Sequence, residues 1–336
     1  MHGDNELTID VVIITKNQGW NVRRLVESVL RETESLPGSD VILVDSASND
    51  DTVTVAQDLP IRVIRLSKRQ RLPAAAGRQA GITQTRGDIV LFLDGDMELR
   101  PGWVAAALRV FKREPSVAVI SGEVIDQPRT ACSPTNQTPS CDPSHVLYDA
   151  VPHGGGAAAY RRRVLEQVGS FNPYLFSDEE PELCLRIREA GYRVVKLRMP
   201  IADHYSDPAG AIATLFGRRK RNLYLGPGQA LRLHARTRML MPYARERGFG
   251  LIPGAGLVAG VACASVAVSE RDVRWMIAWL GAVVAIFGAD SIRKRSPHRA
   301  LFAMVQRVLF AEGTLRGFLM RPADPNKFPY MIEVIK

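Results

Sequence analysis

Ile89-Val90-Leu91-Phe92-Leu93-Asp94-Gly95-Asp96 is the stretch on which the fold turns. Five consecutive apolar residues, rich in β-branched and aromatic types, read as a buried parallel strand. Two carboxylates then stand at its C-terminal end, the edge where open α/β sheets bind ligands. Asp94 and Asp96 are two apart, so on an extended chain both side chains point the same way. Gly95 lets the backbone turn and a ligand come close. Two converging oxygens suit a hard divalent cation holding a diphosphate. The plainer reading is a solvated Asp-Gly-Asp turn, so the surroundings decide.

Outward from this strand, the same grammar repeats. Asp10 to Thr15 is a strand, closed by Lys16-Asn17-Gln18-Gly19. A helix follows, with Val22, Leu25, Val26, Val29 and Leu30 at helical spacing. Pro37-Gly38 breaks the chain before a second strand, Val41 to Asp45, and Ile61 to Leu66 is a third. Helices are expected over Pro73 to Thr85, with Pro near the first turn, and over Pro101 to Arg113. Four strand–helix alternations mean a parallel sheet covered by helices, with Asp45, Asp94 and Asp96 gathered along one edge. No GxGxxG follows the first strand, so a dinucleotide-binding Rossmann domain lacks its fingerprint.

The next stretch is less regular. Val117 to Val124 reads as a strand and Asp126 to His153 as a Pro-rich loop, a length usual for functional lids or disordered segments. Gly154-Gly155-Gly156 is a weak phosphate cradle, since no strong strand precedes it. Ala157 to Tyr160 and Tyr192 to Leu197 read as strands, and Arg162 to Val168 and Glu180 to Ala190 as helices. His204 is expected beyond the last strand, in a polar turn.

The 336 residues carry a formal net charge of +9, unevenly spread. Phe216 to Gly248 holds nine Arg or Lys against one acid, Glu246, which suits nucleic acid or an anionic membrane surface. Phe249 to Ser269 and Trp275 to Ala289 then contain no charged side chain. The first run is long enough for a membrane helix; the second, at fifteen, is shorter than the usual ~17–25. Gly256 and Gly260 form a small-xxx-small pair able to seat the two segments together. Basic flanks at Arg245, Arg247 and Arg293-Lys294-Arg295 put both outer ends on the cytoplasmic side. A membrane hairpin is the expectation, against a buried soluble pair or a hairpin that dips without crossing.

Met1 to Asp10 is polar and acidic, with no signal peptide pattern. Cys132, Cys141, Cys184 and Cys263 show no CxxC spacing, so neither a zinc site nor a disulfide framework is indicated. In a cytoplasmic setting Cys132 and Cys141 stay unpaired and the Asn136-Gln137-Thr138 sequon is idle.

Five blocks then add up. Val12 to Asn17, Val44 to Thr52, Gly77 to Ile82, Gly87 to Asp96 and Glu179 to Arg186, in this order, resemble the family 2 glycosyltransferases of the GT-A fold. The resemblance covers about residues 8 to 205. It implies an α/β, mostly parallel Rossmann-like sheet and an inverting transfer from a nucleotide-sugar with a divalent metal, Mn²⁺ or Mg²⁺. By that resemblance Asp96 is the main metal ligand, Asp94 reaches the ribose or the metal, and His204 is a third ligand, reasonable for Mn²⁺. Thr15, Asn17 and Asp45 line the nucleotide pocket, and Arg78 faces the base or the phosphates. Glu180 is the general base, with Glu179 beside it at a helix start, where carboxylates also suit the macrodipole. The sequence departs from the family's usual pattern at Ser46, often a second Asp, at Gln79, usually Asn, and at Glu180, usually Asp.

The expected organisation is a catalytic domain over 1–210, with a donor half at about 8–125 and an acceptor half at about 150–205. Basic juxtamembrane helices (211–248), a two-helix membrane hairpin (249–290) and a cytoplasmic tail (291–336) follow. Such a chain sits at the cell inner membrane and takes a UDP-, GDP- or dTDP-sugar and a lipid-linked or glycan acceptor. A nucleotidyltransferase would need a longer, glycine-richer loop than Thr15 to Gly19, and a scaffold needs no base opposite a metal. Nucleic acid is discounted because an apolar run follows the basic one directly.

Overall fold

The computed structural model describes residues 7–131, 146–206, 212–248 and 251–336. Two compact units divide the chain: Met1–Pro208 with Ala323–Lys336, and Ala209–Pro322. The first unit opens with β1 (Ile9–Thr15), α1 (Gly19–Thr33), β2 (Val41–Asp45), α2 (Thr52–Gln57), β3 (Arg62–Leu66) and α3 (Ala74–Thr83). It continues through β4 (Ile89–Asp94), β5 (Met97–Leu99), α4 (Trp103–Arg113), β6 (Val117–Pro128) and β7 (Tyr148–Ala150). β8 (Ala158–Arg161), α5 (Arg162–Val168), α6 (Glu179–Glu189) and β9 (Arg193–Ser206) complete it.

One mixed sheet runs through this unit in the order β10-β3-β2-β1-β4-β8-β6-β9-β5, where β10 is Ile332–Val334 and β7 pairs with β9. β3, β2, β1 and β4 are parallel, so the expected alternation holds there. Thr15 pairs with Asp45 and Ile14 with Asp94, which brings the strand-end carboxylates to one edge. β8 enters from the glycine run at that edge and therefore runs antiparallel to both β4 and β6. Alternate residues feed two cores: Ile9, Val11 and Ile13 meet α1 and α4, while Val12 and Ile14 meet the side of α3, α5 and α6. Beneath the site Phe92 stacks edge-on against Tyr160 (5.6 Å) and Phe171 (5.2 Å).

Three expectations are corrected here. β9 does not stop at Leu197, and His204 lies on the strand rather than in a turn. Pro200 sits within β9 where the β6 pairing shifts register, a place that needs no ladder N–H. β6 likewise runs to Pro128 and β7 covers Tyr148–Ala150, so part of the expected loop is sheet. Cys132, Cys141 and the sequon at Asn136 lie outside the described residues. Finally, 291–336 is no tail. It contains α12 (Pro297–Leu319), started by Ser296, whose hydroxyl accepts from Arg299 N (3.3 Å), and then β10, which adds antiparallel to β3.

The second unit is helical: α7 (Ile212–Lys220), α8 (Gly226–His234), α9 (Leu240–Arg247), α10 (Leu251–Ser269), α11 (Arg274–Arg293) and α12. Ile252–Ser269 and Arg274–Arg293 are long and apolar enough to span a membrane. Their side chains are not the core of a soluble pair: Val258 is 70% exposed and Ile277 61%. α11 outlasts its uncharged run because its charges sit at the ends, where Asp290 pairs with Arg307 of α12 (2.6 Å). The two helices meet through the small residues, Trp279 lying on Gly260 and donating from Nε1 to the Gly256 carbonyl (3.0 Å).

Candidate active site

The Asp94-Gly95-Asp96 turn is held from below by α1. Asn21, fully buried, donates from Nδ2 to the Gly95 carbonyl (3.0 Å) and the Met97 carbonyl (2.8 Å). A Cβ on Gly95 would stand 2.8 Å from Thr15 Cγ2 and 2.9 Å from Gln18 Cγ, so the turn and the loop after β1 touch through bare backbone. Tyr205 N donates to the Asp96 carbonyl (2.8 Å), tying the turn to β9.

Arg78 is the centre of the site. Its side chain is 3% exposed and meets Asp94 Oδ1 (2.9 Å), Glu180 Oε1 (2.9 Å) and, in a very short contact, Glu179 Oε1. One guanidinium thus faces three carboxylates from β4 and the start of α6. Burial alone would lower the Arg78 pKa, but Glu180, Asp94 and Glu179 together raise it above the usual arginine range. Burial raises Asp94 to about 6 against the pull of Arg78, with Glu180 and Asp96 adding to the rise. Burial also raises Glu179, reinforced by Glu180 and opposed by Arg78. Arg78, expected to face base or phosphate, here turns Nη1 and Nη2 to the three carboxylates.

Asp96, in the turn after β4, and His204 of β9 come together, with Nε2 3.5 Å from Asp96 Oδ2. Asp126 on β6 fixes the other ring nitrogen, Nδ1 to Oδ1 at 2.7 Å. Asp96, then Asp126, raise the imidazole to about 9 against burial. Asp96 Oδ1 is buried and has no hydrogen-bond partner among the described residues. A buried carboxylate oxygen with no partner, beside a histidine held in one orientation, fits a divalent cation. Asp94 is turned toward Arg78, and no three His, Cys, Asp or Glu among the described residues are arranged as a closed metal cluster. Asp96 and His204 are thus the two groups at this edge that could hold a cation.

On the other side, Asn17 has the positive φ of a turn residue (55°). Its N–H donates to Ser48 Oγ (2.8 Å) and its Oδ1 accepts from Asn49 N (2.8 Å), linking the loops after β1 and β2. Thr15 is buried at the end of β1. Asp45, expected at the nucleotide pocket, has a fully buried side chain that takes Ser48 N (2.9 Å) and Ser48 Oγ and faces Arg65 Nε (3.4 Å). It fixes the turn after β2 through Ser48. The glycine run is no phosphate cradle; Gly156 backs Asp94, where a Cβ would meet Oδ2 at 2.7 Å.

Asn21, Ser48, Arg65 and Asp126 escaped the sequence reading. Asn21 carries a signal, an amide beside Val22 and Leu25 on the face that α1 buries. Asp126 was hidden by the Pro128 two residues later, which made a strand look like loop.

Residues 10–169 match the family described as Glycosyl transferase family 2. The pre-mycofactocin glycosyltransferase of Mycobacterium tuberculosis is 30% identical over 210 residues, which is 57% of this chain and 41% of that protein. This chain thus spans well under half the length of that relative. Glycosyltransferase AglE of Haloferax volcanii is 24% identical over 237 residues, 66% of this chain and 72% of that one. The mannosyltransferase PcManGT from Pyrobaculum calidifontis, solved with GDP-Man and Mn²⁺, superposes with a TM-score of 0.61 at 19% identity. That alignment covers 93% of this chain and 88% of the other and shows a shared GT-A fold.

Proposed function

We propose, from the premise that residues 10–169 form a family 2 glycosyltransferase domain, that the chain moves a sugar from a nucleoside-diphosphate sugar to an acceptor hydroxyl with inversion. The observation that carries this is the pairing of two unlike sites: Asp96, with a partnerless buried oxygen, and Glu180, held 2.9 Å from Arg78 and 15% exposed. Asp96 and His204 are the residues that would hold a divalent cation. A bound Mn²⁺ or Mg²⁺ supplies charge stabilisation for the departing diphosphate. PcManGT, a relative in fold, binds GDP-Man and Mn²⁺, which supports this assignment.

The chemistry needed from the protein is then small. Glu180 accepts the acceptor hydroxyl's proton as that oxygen attacks the anomeric carbon, and the bond to the diphosphate breaks from the opposite face. Arg78 keeps Glu180 and Asp94 apart from one another's charge and fixes the direction of the Glu180 lone pair. Glu179, deeper and nearly unexposed, stays with Arg78 and out of the sugar's path.

α10 and α11 carry the chain at the inner membrane, with the catalytic domain on the cytoplasmic side and a lipid-linked or other membrane-proximal acceptor. The basic residues of α7 to α9 draw the protein to an anionic leaflet, each adding ~1 kcal/mol. The test is binding of UDP-, GDP- and dTDP-sugars to detergent-purified protein, with Mn²⁺ and with EDTA. One nucleotide class is expected to bind, only with metal, and Asp96→Ala is expected to lose it. Binding untouched by both EDTA and Asp96→Ala would remove the metal assignment.

A further inference from the structure

The strand that returns from the second unit opens onto a cleft of about 490 Å³. Ala47, Arg65, Ser67 and Lys68 form one wall and Met331 and Glu333 the other. The cleft lies at the same sheet edge as the acids, because β2 and β3 are parallel to β4 and end beside it. In the order β3-β2-β1-β4 it is about 14 Å from Asp96 at ~4.8 Å per strand, a span that an extended nucleoside diphosphate covers.

The path between them is continuous. Arg65 donates from Nη2 to the Ser48 carbonyl (2.8 Å), Ser48 Oγ accepts from Asn17 N, and the 15–18 loop rests on Gly95. Lys68 Nζ holds Asn49 Oδ1, whose own N–H reaches Asn17. The outer wall is also built rather than incidental. Met331 N donates to Gln70 Oε1 (2.7 Å), Met331 O accepts from Ser67 N (3.0 Å), and the Lys336 Nζ reaches the Gln57 and Leu59 carbonyls (2.7 and 2.6 Å).

We infer that residues 331–333 form the outer wall of the base site, so that a segment beyond the family-matched domain takes part in choosing the nucleotide. The inference rests on the donor reading above. Met331 and Ala47 offer apolar surface to a flat ring, and Glu333 accepts from a ring N–H, while Lys68 and Arg65 serve carbonyl edges. A wall of this composition discriminates bases by the pattern of N–H and C=O on the outer edge.

Both wall side chains are exposed, so Met331→Ala and Glu333→Ala leave the strand's backbone bonds in place. The experiment measures Kd for UDP, GDP and dTDP with Mn²⁺ on the full chain in detergent, for wild type, both variants and Asp96→Ala, with melting temperatures alongside. Met331→Ala is expected to weaken the preferred nucleotide about 2- to 10-fold, the range of a methionine contact with a ring. Glu333→Ala is expected to change the UDP:GDP affinity ratio about tenfold or more, as for a hydrogen bond to a charged group. Both should melt as wild type does. Unchanged Kd values and ratio in both variants, with binding still lost in Asp96→Ala, would overturn the base wall and leave the donor reading standing. Failure of the wild type to bind UDP, GDP or dTDP would overturn both together.

Discussion

At the residue scale the site is a problem in charge placement. Three carboxylates share Arg78, and removing that cation leaves them facing one another in a buried place. Arg78→Met should therefore cost about 3–5 kcal/mol, as breaking a buried ion pair does, and thermal unfolding of the variant in detergent reads it. Glu180→Gln should keep donor binding but lower kcat about 10²–10⁴-fold, the usual contribution of a positioned base. Glu179 makes a pH prediction. Burial and Glu180 raise its carboxyl from 4.5 up to about 8, so its proton favours the folded state. That contribution is complete below the ordinary glutamate range and is lost as pH rises toward 8. Between pH 5 and 8 the melting temperature of the wild type should fall relative to that of Glu179→Gln, and parallel curves would show that Glu179 ionises normally.

At the element scale, the strand-end acids were legible because parallel strands put their C-termini together whatever the helices do. Asp94, Asp96 and Glu180 could be placed from periodicity and order of blocks. What could not be read was direction. Arg78 sits on a short helix with no distinctive pattern, and only the packing of α3 and α6 brings it to three acids. Asp45 looked like a pocket residue for the same reason Asp94 did, yet the turn after β2 folds back and encloses it. His204 was found by its place in the order of blocks but put in the wrong element, since the sheet partners that extend β9 are remote in sequence. Gly95 belongs to this scale too. A methyl at Gly95 would press on Thr15 and Gln18, so Gly95→Ala should cost about 1–3 kcal/mol and weaken donor binding, measured by melting and by nucleotide titration together.

At the scale of the whole molecule, the chain leaves the sheet after β9, builds a helical unit and comes back to add a last strand beside β3. Hydropathy alone identified the two apolar helices. It could not reveal the return, because Ile332–Val334 is three residues long and gains meaning only from an edge 266 positions earlier, as 332 is to 66. The exposed apolar faces of α10 and α11 predict that the protein stays with membranes after alkaline carbonate washing, whereas release into the wash would show that another surface covers them.

The most direct measurement is sugar release from UDP-, GDP- and dTDP-sugars by the purified chain, run with Mn²⁺, with EDTA, and with Asp96→Ala and Glu180→Gln in parallel. The expected result is turnover of one nucleotide class, abolished by EDTA and by Asp96→Ala, and slowed at unchanged donor affinity by Glu180→Gln. Turnover that survives the loss of both acids, or no turnover of any nucleotide-sugar with metal present, would contradict the assignment of this site.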